Sequence, residues 1–287
     1  MSNHEGDVPR SKKQKVCESG EVYVEALGGP MYDEATARKI MRYAPVRPLG
    51  SDGEGGAGFD PDDAALDNVY HQLNEDEITP MLYFAYQGDL KMMRYLIFRG
   101  ASTTKLIGDH TSPIHMAAWA GCLDICKFLT ANGAQDLMRL TNIHGWTPFL
   151  CAANGGSDQV VRWLVLQGAL CHDDNSDEVD GDLIHHRRHN TYVNRSVFKT
   201  CERLVDWSKD VLQAHFALVT FLLGTLPPTP EKDRGCILQC LSGNSGIRKL
   251  IGDFVGLEVT KATQLRILQS VVKVLPETMR IGRKDES

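Results

Sequence analysis

The chain has no long apolar run. Its longest nearly continuous one, 214–226, holds 13 residues and is broken by His215 and Thr220, short of the roughly 20 needed to cross a bilayer. It has no excess of base: 31 Lys and Arg against 37 Asp and Glu leave a net charge of −6. That excludes a nucleic-acid binder working through a basic face and gives no hold on an anionic membrane. The opening segment 1–15 is polar and has no apolar stretch of a secretion signal. Eight cysteines include no Cys-x-x-Cys pair. Without an export signal they are expected as free thiols in a reducing compartment, and the chain as a soluble cytoplasmic protein. Cys122 and Cys126, like Cys236 and Cys240, stand four apart, a spacing that puts each pair on one helix face as buried thiols.

Catalytic signatures are missing as well. There is no Gly-x-Ser-x-Gly elbow and no His-Glu-x-x-His. The glycines Gly53, Gly55, Gly56 and Gly58 lie in an acidic stretch without the lysine of a phosphate loop. His172, His185, His186 and His189 invite a zinc reading with Cys171, but four convergent ligands are not evident and Arg187 and Arg188 repel a dication. Asp173, Asn175 and Asp177 alternate as calcium ligands do. Glu178 then stands where the turn glycine belongs and Ile184 where the closing glutamate belongs. The expectation is no enzyme, no metal and no cofactor.

What the chain does have is a repeat. Its 287 residues, 42% of them apolar and 24% charged, suffice for one large domain or two ordinary ones with a core. Thr79-Pro80-Met81-Leu82 leads to Gly88, Leu96-Ile97 and Gly100-Ala101. Ser112-Pro113-Ile114-His115 leads to Gly121, Leu129-Thr130 and Gly133-Ala134, and Thr147-Pro148-Phe149-Leu150 leads to Gly156, Leu164-Val165 and Gly168-Ala169. The prolines are 33 and 35 apart. In every copy the Thr or Ser stands nine before the first glycine, and the second glycine twelve after it.

A hydroxyl followed by proline starts a helix. The first glycine ends it where the chain reverses. A second helix then carries a buried stripe: Met92, Met93, Leu96 and Ile97; Ile125, Cys126 and Leu129; Val160, Val161, Leu164 and Val165. Ala85, Ala117-Ala118 and Ala152-Ala153 let paired helices approach closely.

These stretches resemble the ankyrin repeat, with its Thr-Pro-Leu-His start, Ala-Ala pair, glycine turn and Gly-Ala close. Residues 112–134 and 145–169 match well, 79–101 less so. The pattern's loop glycine is Gly145 in the third copy, but Glu77 and His110 stand there in the first two. Its histidine survives as His115, read as part of its turn's hydrogen bonding. The resemblance implies an all-α fold, an ankyrin-repeat solenoid of helix-turn-helix units with short β-hairpin loops plus a C-terminal helical cap. It also implies a non-enzymatic module that binds a partner protein on its concave face.

Carried onto this chain residue by residue, that face falls on Tyr86, Gln87, Asp109, Thr111, Trp119, Ile143, His144, Trp146 and Asn154, with Glu75, Asp76 and Ile78 at the first hairpin. Tyr and Trp are favoured interface anchors, and a core role for the same rings is the competing reading. Ankyrin faces vary by target, so the scaffold encodes neither the partner's identity nor an oligomeric state.

The flanks must close the stack. Residues 1–19 are expected as a disordered tail. Residues 20–67 hold a strand at Val22 and Val24, then a helix from Asp33 with Ala37, Ile40, Met41 and Ala44 on one face, then an acidic, Gly-rich mobile linker. The repeats fill 68–170, with Tyr70 to Glu77 in a divergent capping unit. A charged insertion spans 171–195. Residues 196–276 form a helical region: a long helix from Ser196 stopped by Pro227-Pro228, a second over 247–255, and a third over 264–275 stopped by Pro276. A short tail, 277–287, follows.

That C-terminal third, through Arg203-Leu204-Val205-Asp206-Trp207 and Ile251-Gly252-Asp253-Phe254-Val255-Gly256, resembles the tail of a set of algal and protist ankyrin proteins; the likeness implies helices and no reaction. Ser196-Val197-Phe198-Lys199-Thr200-Cys201 with Val205 also resembles, loosely, the helix by which ubiquitin-ligase substrate receptors hold their adaptor. An enzyme site within 196–275 is the other alternative, which a deep polar cleft there would favour. Arg10, Lys12, Lys13 and Lys15 read first as a solvated tail and second as a nuclear signal.

Overall fold

The computed structural model describes residues 14–16, 22–24, 27–44, 46–48, 58–62, 68, 70–72, 77–171, 178–180, 195–225 and 262–285. It divides into two compact units, Met1–Leu137 and Met138–Ser287. The fold is all-α apart from two small sheets.

In the N-terminal unit, antiparallel β1 (Gln14–Val16), β2 (Val22–Val24) and β3 (Gly29–Met31) form one sheet, with Gln14 opposite Val24 and Val22 opposite Met31. The tail expected over 1–19 therefore contains a strand: Val16 and its neighbours pair with the Val-Tyr-Val of β2. Helix α1 (Glu34–Arg42) starts at Asp33, whose carboxylate accepts from the Thr36 N–H at 2.9 Å; Ala37 and Met41 are its buried residues. A second sheet joins β4 (Val46–Pro48), β5 (Tyr70–Gln72) and β6 (Glu77–Ile78).

Two helix pairs follow, α2 (Pro80–Gln87) with α3 (Leu90–Arg99), and α4 (Pro113–Trp119) with α5 (Leu123–Leu129). Thr79 caps α2 by accepting from the Leu82 N–H, and Pro80 occupies the first turn, where it loses no hydrogen bond. Gly88 and Gly100 end α2 and α3 in the left-handed conformation at φ 77° and 100°. Helix α2 packs on α4, and Met81, Leu82, Ala85, Ile114, Ala117 and Ala118 are fully buried.

The linker expected over 50–67 is pinned where it is described. The Phe59 N–H donates to Met41 O at 2.9 Å. The Phe59 ring is 1% exposed and lies edge-on to Tyr83 at 5.5 Å. Asp62 pairs with Arg38. Burying a single aromatic in a hydrophobic niche outweighs the chain entropy lost by fixing 58–62. Gly58 is required there: at φ 135°, an added Cβ would fall 2.0 Å from the Arg42 carbonyl oxygen.

The C-terminal unit holds α6 (Pro148–Asn154), α7 (Asp158–Leu166), α8 (Arg195–Thr225) and α9 (Ala262–Asp285). Thr147 caps α6 through the Leu150 N–H. Helix α8 lies against α6 and α7. Ser196 Oγ and Thr200 Oγ1 donate to the Asn154 and Ala153 carbonyls at 3.0 Å, satisfying acceptors that the end of α6 leaves open. Helix α9 packs on α8 and α7, and Leu166, Val211 and Leu268 form their common core with Trp207, Leu212 and Leu265 around it.

Pro276 does not stop α9, which runs on to Asp285. Proline removes one backbone donor, but Leu275 and Met279, one turn apart on either side, are both buried, and that burial offsets the lost bond. Within the charged insertion, Val179 bridges Cys171 and its N–H donates to Ser270 Oγ at 2.8 Å. The expected helix over 247–255 lies outside the described residues, as do His172, His185, His186 and His189. So do Glu75 and Asp76, the glycines 53–56, and Arg10, Lys12 and Lys13.

Candidate functional site

Proline-started helices place the same register position at the end of each first helix, two residues before the first glycine. Tyr86 holds it on α2 and Trp119 on α4. These adjacent helices present their rings at 44% and 43% exposure. Gln87 beside Tyr86 is exposed, and Asn154, the counterpart on α6 in the C-terminal unit, is half-buried, its carbonyl accepting from Ser196.

The hairpins place the other candidates. Asp109 accepts from both the Thr111 N–H and the Thr111 hydroxyl at 2.8 Å, and Thr111 is buried. Its hydroxyl serves the turn. In the C-terminal unit, Asn142 Oδ1 accepts from the His144 and Trp146 N–H groups at 3.0 and 2.9 Å. That turn leaves Ile143 52% exposed, His144 exposed and Trp146 half-buried. Asx-type turns of this kind fix the loop tip before any partner arrives.

His115 is 1% exposed, and its Nδ1 accepts from the Ser112 N–H at 3.3 Å and lies 2.6 Å from Ser112 Oγ. It closes the start of α4. Cys122, Cys126, Cys151, Cys171 and Cys201 are thiols that form no disulfide. Burial pushes Cys126 and Cys201 up to about 12, so neither is a nucleophile at neutral pH. The residues of the loosely receptor-like helix, Val197, Cys201 and Val205, are buried in the C-terminal unit. Their stripe is spent on internal packing and is not available to an adaptor. Among the described residues no group of three or more His, Cys, Asp or Glu converges as a metal site, and no helix is long and apolar enough to cross a membrane.

A groove between α1 and α2 was not evident from the sequence. Its residues Tyr43 and Tyr83 belong to no repeat signature position. The signal that points to it is the amphipathic pattern of α1, which buries Ala37, Met41 and Ala44 and leaves Tyr43 outside.

Comparison with known proteins agrees with this architecture. Residues 63–139 match the family model for ankyrin repeats (3 copies), and residues 144–176 that for a single ankyrin repeat. The human transient receptor potential cation channel subfamily A member 1 is 33% identical over 98 residues, 34% of this chain and 9% of the channel. The mouse ankyrin repeat and SAM domain-containing protein 6 is 26% identical over 106 residues, 36% of this chain and 12% of that protein. Human protein phosphatase 1 regulatory subunit 27 is 32% identical over 98 residues, 34% of this chain and 60% of the subunit. The chain thus spans under two thirds of each of these relatives. Hairpin, Pro-started helix, glycine turn, second helix and family match coincide: residues 63–176 of this chain are ankyrin repeats.

Proposed function

We propose that this chain is a recognition module, not a catalyst, that binds a partner protein through the exposed ends of its first helices and its hairpin tips. In the N-terminal unit these are Tyr86, Gln87, Trp119 and the Asp109 turn, which the buried Thr111 braces from within. In the C-terminal unit they are Ile143, His144, Trp146 and Asn154. They correspond to the concave face by which ankyrin repeats hold their targets. The observation that carries the reading is the pair Tyr86 and Trp119, two large rings more than two fifths exposed at equivalent positions of adjacent helices. Leaving both in water is unfavourable unless a partner covers them. The relative named as a regulatory subunit of protein phosphatase 1 is consistent with a binding role.

Substituting Trp119→Ala in the full chain tests it. The expected result is an unchanged circular dichroism spectrum and melting point, with loss of the proteins that co-purify with the wild type. Retention of the same co-purifying proteins, or a melting point many degrees lower, would overturn the reading, because Trp119 would then be core.

A further inference from the structure

We infer that the partner held by the helix ends and hairpin tips of the N-terminal unit presents an arginine to them, an inference that rests on the partner-binding role proposed above. The charge of that surface has one sign. By sequence, its first hairpin reads Glu75-Asp76-Glu77 and its second Gly108-Asp109-His110: four carboxylates against one imidazole, with no lysine or arginine. The helix ends that follow the two hairpins, Tyr86 with Gln87 and then Trp119, carry no charge. A proton on His110 would still leave the row three acids in excess.

The two described carboxylates, Glu77 and Asp109, are fixed in place and uncompensated. Glu77 is exposed and stands where the repeat pattern keeps a glycine. Its Oε2 accepts from the Gly108 N–H of the next hairpin at 2.9 Å. Gly108 lets the two come this close, since an added Cβ would fall 2.7 Å from that oxygen. Asp109 directs its two oxygens to the Thr111 N–H and hydroxyl. Neither carboxylate has a cationic partner among the described residues, whereas Glu34 and Asp62 of the same unit are matched by Arg38, Arg42 and Arg99. A side chain already oriented in this way loses little freedom when a cation arrives.

A partner that covers the rings of Tyr86 and Trp119 draws these carboxylates partly out of water. An apolar partner would leave them without a counter-charge, and an acidic one would add repulsion. A cation offsets both costs. Arginine suits the surface better than lysine. Its flat guanidinium is weakly hydrated, donates to a carboxylate through two N–H groups and stacks on the face of a tyrosine or tryptophan ring. The chain's net charge of −6 steers a ligand of the same sign.

The test is a titration of the full chain, by fluorescence anisotropy at about 0.15 M salt, with three labelled peptides of about a dozen residues. They consist of glycine, serine and leucine except at two central positions, which are arginine, lysine or glutamate. The arginine peptide is expected to bind saturably, the lysine peptide about threefold more weakly, and the glutamate peptide not at all up to about 1 mM. Glu77→Gln and Asp109→Asn remove charge but keep the oxygens that accept from Gly108 and Thr111. Together they should weaken the arginine peptide about tenfold without lowering the melting point. Should the double variant melt earlier, the two single variants are read instead, each expected to weaken binding about threefold. Asp124→Asn, an exposed carboxylate at the start of α5 and outside the surface, should change nothing. No saturable binding of the arginine peptide up to about 1 mM, equal binding of the lysine or glutamate peptide, or indifference to the two charge removals overturns the inference. So does an equal loss on Asp124→Asn, because bulk charge alone would then be at work. Failure of the surface itself reads differently, since Trp119→Ala would then keep the co-purifying proteins. Proteins lost from Trp119→Ala but retained by the Glu77→Gln, Asp109→Asn double variant would leave the surface in place and remove the arginine from it.

Discussion

His110 carries a backbone angle that its β-carbon resists. At φ 64° it is the one non-glycine residue among those described with positive φ. The reason is the turn it must close. Its N–H donates to Ile107 O at 2.9 Å, and the Ile107 N–H donates to Thr111 O at 3.2 Å. The corresponding turn in the C-terminal unit uses Gly145 at φ 77°, with the Gly145 N–H on Asn142 O and the Asn142 N–H on Trp146 O. The same hairpin is therefore built once with glycine and once without. Holding a side chain in the left-handed region costs about 1–2 kcal/mol, while glycine's greater freedom in the unfolded chain returns about 0.5–1 kcal/mol of that. His110→Gly is accordingly expected to stabilise the protein by up to about 1 kcal/mol, read as a higher melting temperature, and His110→Val to destabilise it. A lower melting point for the glycine variant would mean that the imidazole itself holds the turn. Thr111, next in the chain, shows the limit of reading a site position by position. The repeat pattern puts it at the tip, but a small hydroxyl two residues after an aspartate is taken up by that aspartate.

One carboxylate of helix α1 reaches two side chains of the repeats. Glu34 Oε1 accepts from Arg38 Nε at 2.7 Å and from an Arg99 guanidinium nitrogen at 2.8 Å, and Oε2 accepts from the Tyr95 hydroxyl at 3.0 Å. Burial alone would raise its pKa. The hydrogen bonds from Arg38 and Tyr95 and the charges of Arg99 and Arg38 outweigh that and hold it below the usual 4.5. A carboxylate depressed by folding contributes stability that is present above its ordinary pKa and lost as pH falls through its folded value. Melting curves taken through pH 6 to about 3 should therefore fall more steeply for the wild type than for Glu34→Gln. Parallel curves for the two proteins would show that Glu34 contributes nothing to the attachment.

At this scale the repeat helices and α1 were legible in the sequence, because the signals that start and stop them act within a turn or two: Thr79-Pro80 and Gly88, Thr147-Pro148, and the Asp33 cap. Phe59 was not, because its burial depends on Tyr83 and Phe84, about two dozen residues away, and nothing local announces them. The passage of α9 through Pro276 was hidden for the same reason: the compensation is tertiary, in the burial of Leu275 and Met279. The groove beside Tyr43 is likewise a product of packing between α1 and α2, which no repeat signature describes.

Ankyrin helix pairs bury their faces only against neighbours, so a stack needs something other than a repeat at its ends. In each unit we propose that the segments packed beside the repeats play this part. In the N-terminal unit it is the β3–α1 segment, where Arg94 of α3 donates to the Leu27 and Pro30 carbonyls at 3.2 and 3.1 Å. In the C-terminal unit it is α8 and α9. The Arg203–Asp158 pair at 2.9 Å joins α8 to α7 at half-exposed positions and contributes little, and the apolar seam of Leu166, Val211 and Leu268 joins α9 to both. Leu268 is fully buried, and Leu268→Ala removes its contacts from that seam, an expected loss of about 2–5 kcal/mol. The C-terminal unit contains Trp146, Trp163 and Trp207, so the loss should appear as an earlier transition in tryptophan fluorescence, together with binding of a dye that reports exposed apolar surface. If α8 and α9 were instead a second interaction face resting loosely on α7, Leu268→Ala would leave the melting curve in place and would change only the set of bound proteins. A shifted transition with the dye signal assigns these helices the closing role, and an unshifted one takes it from them.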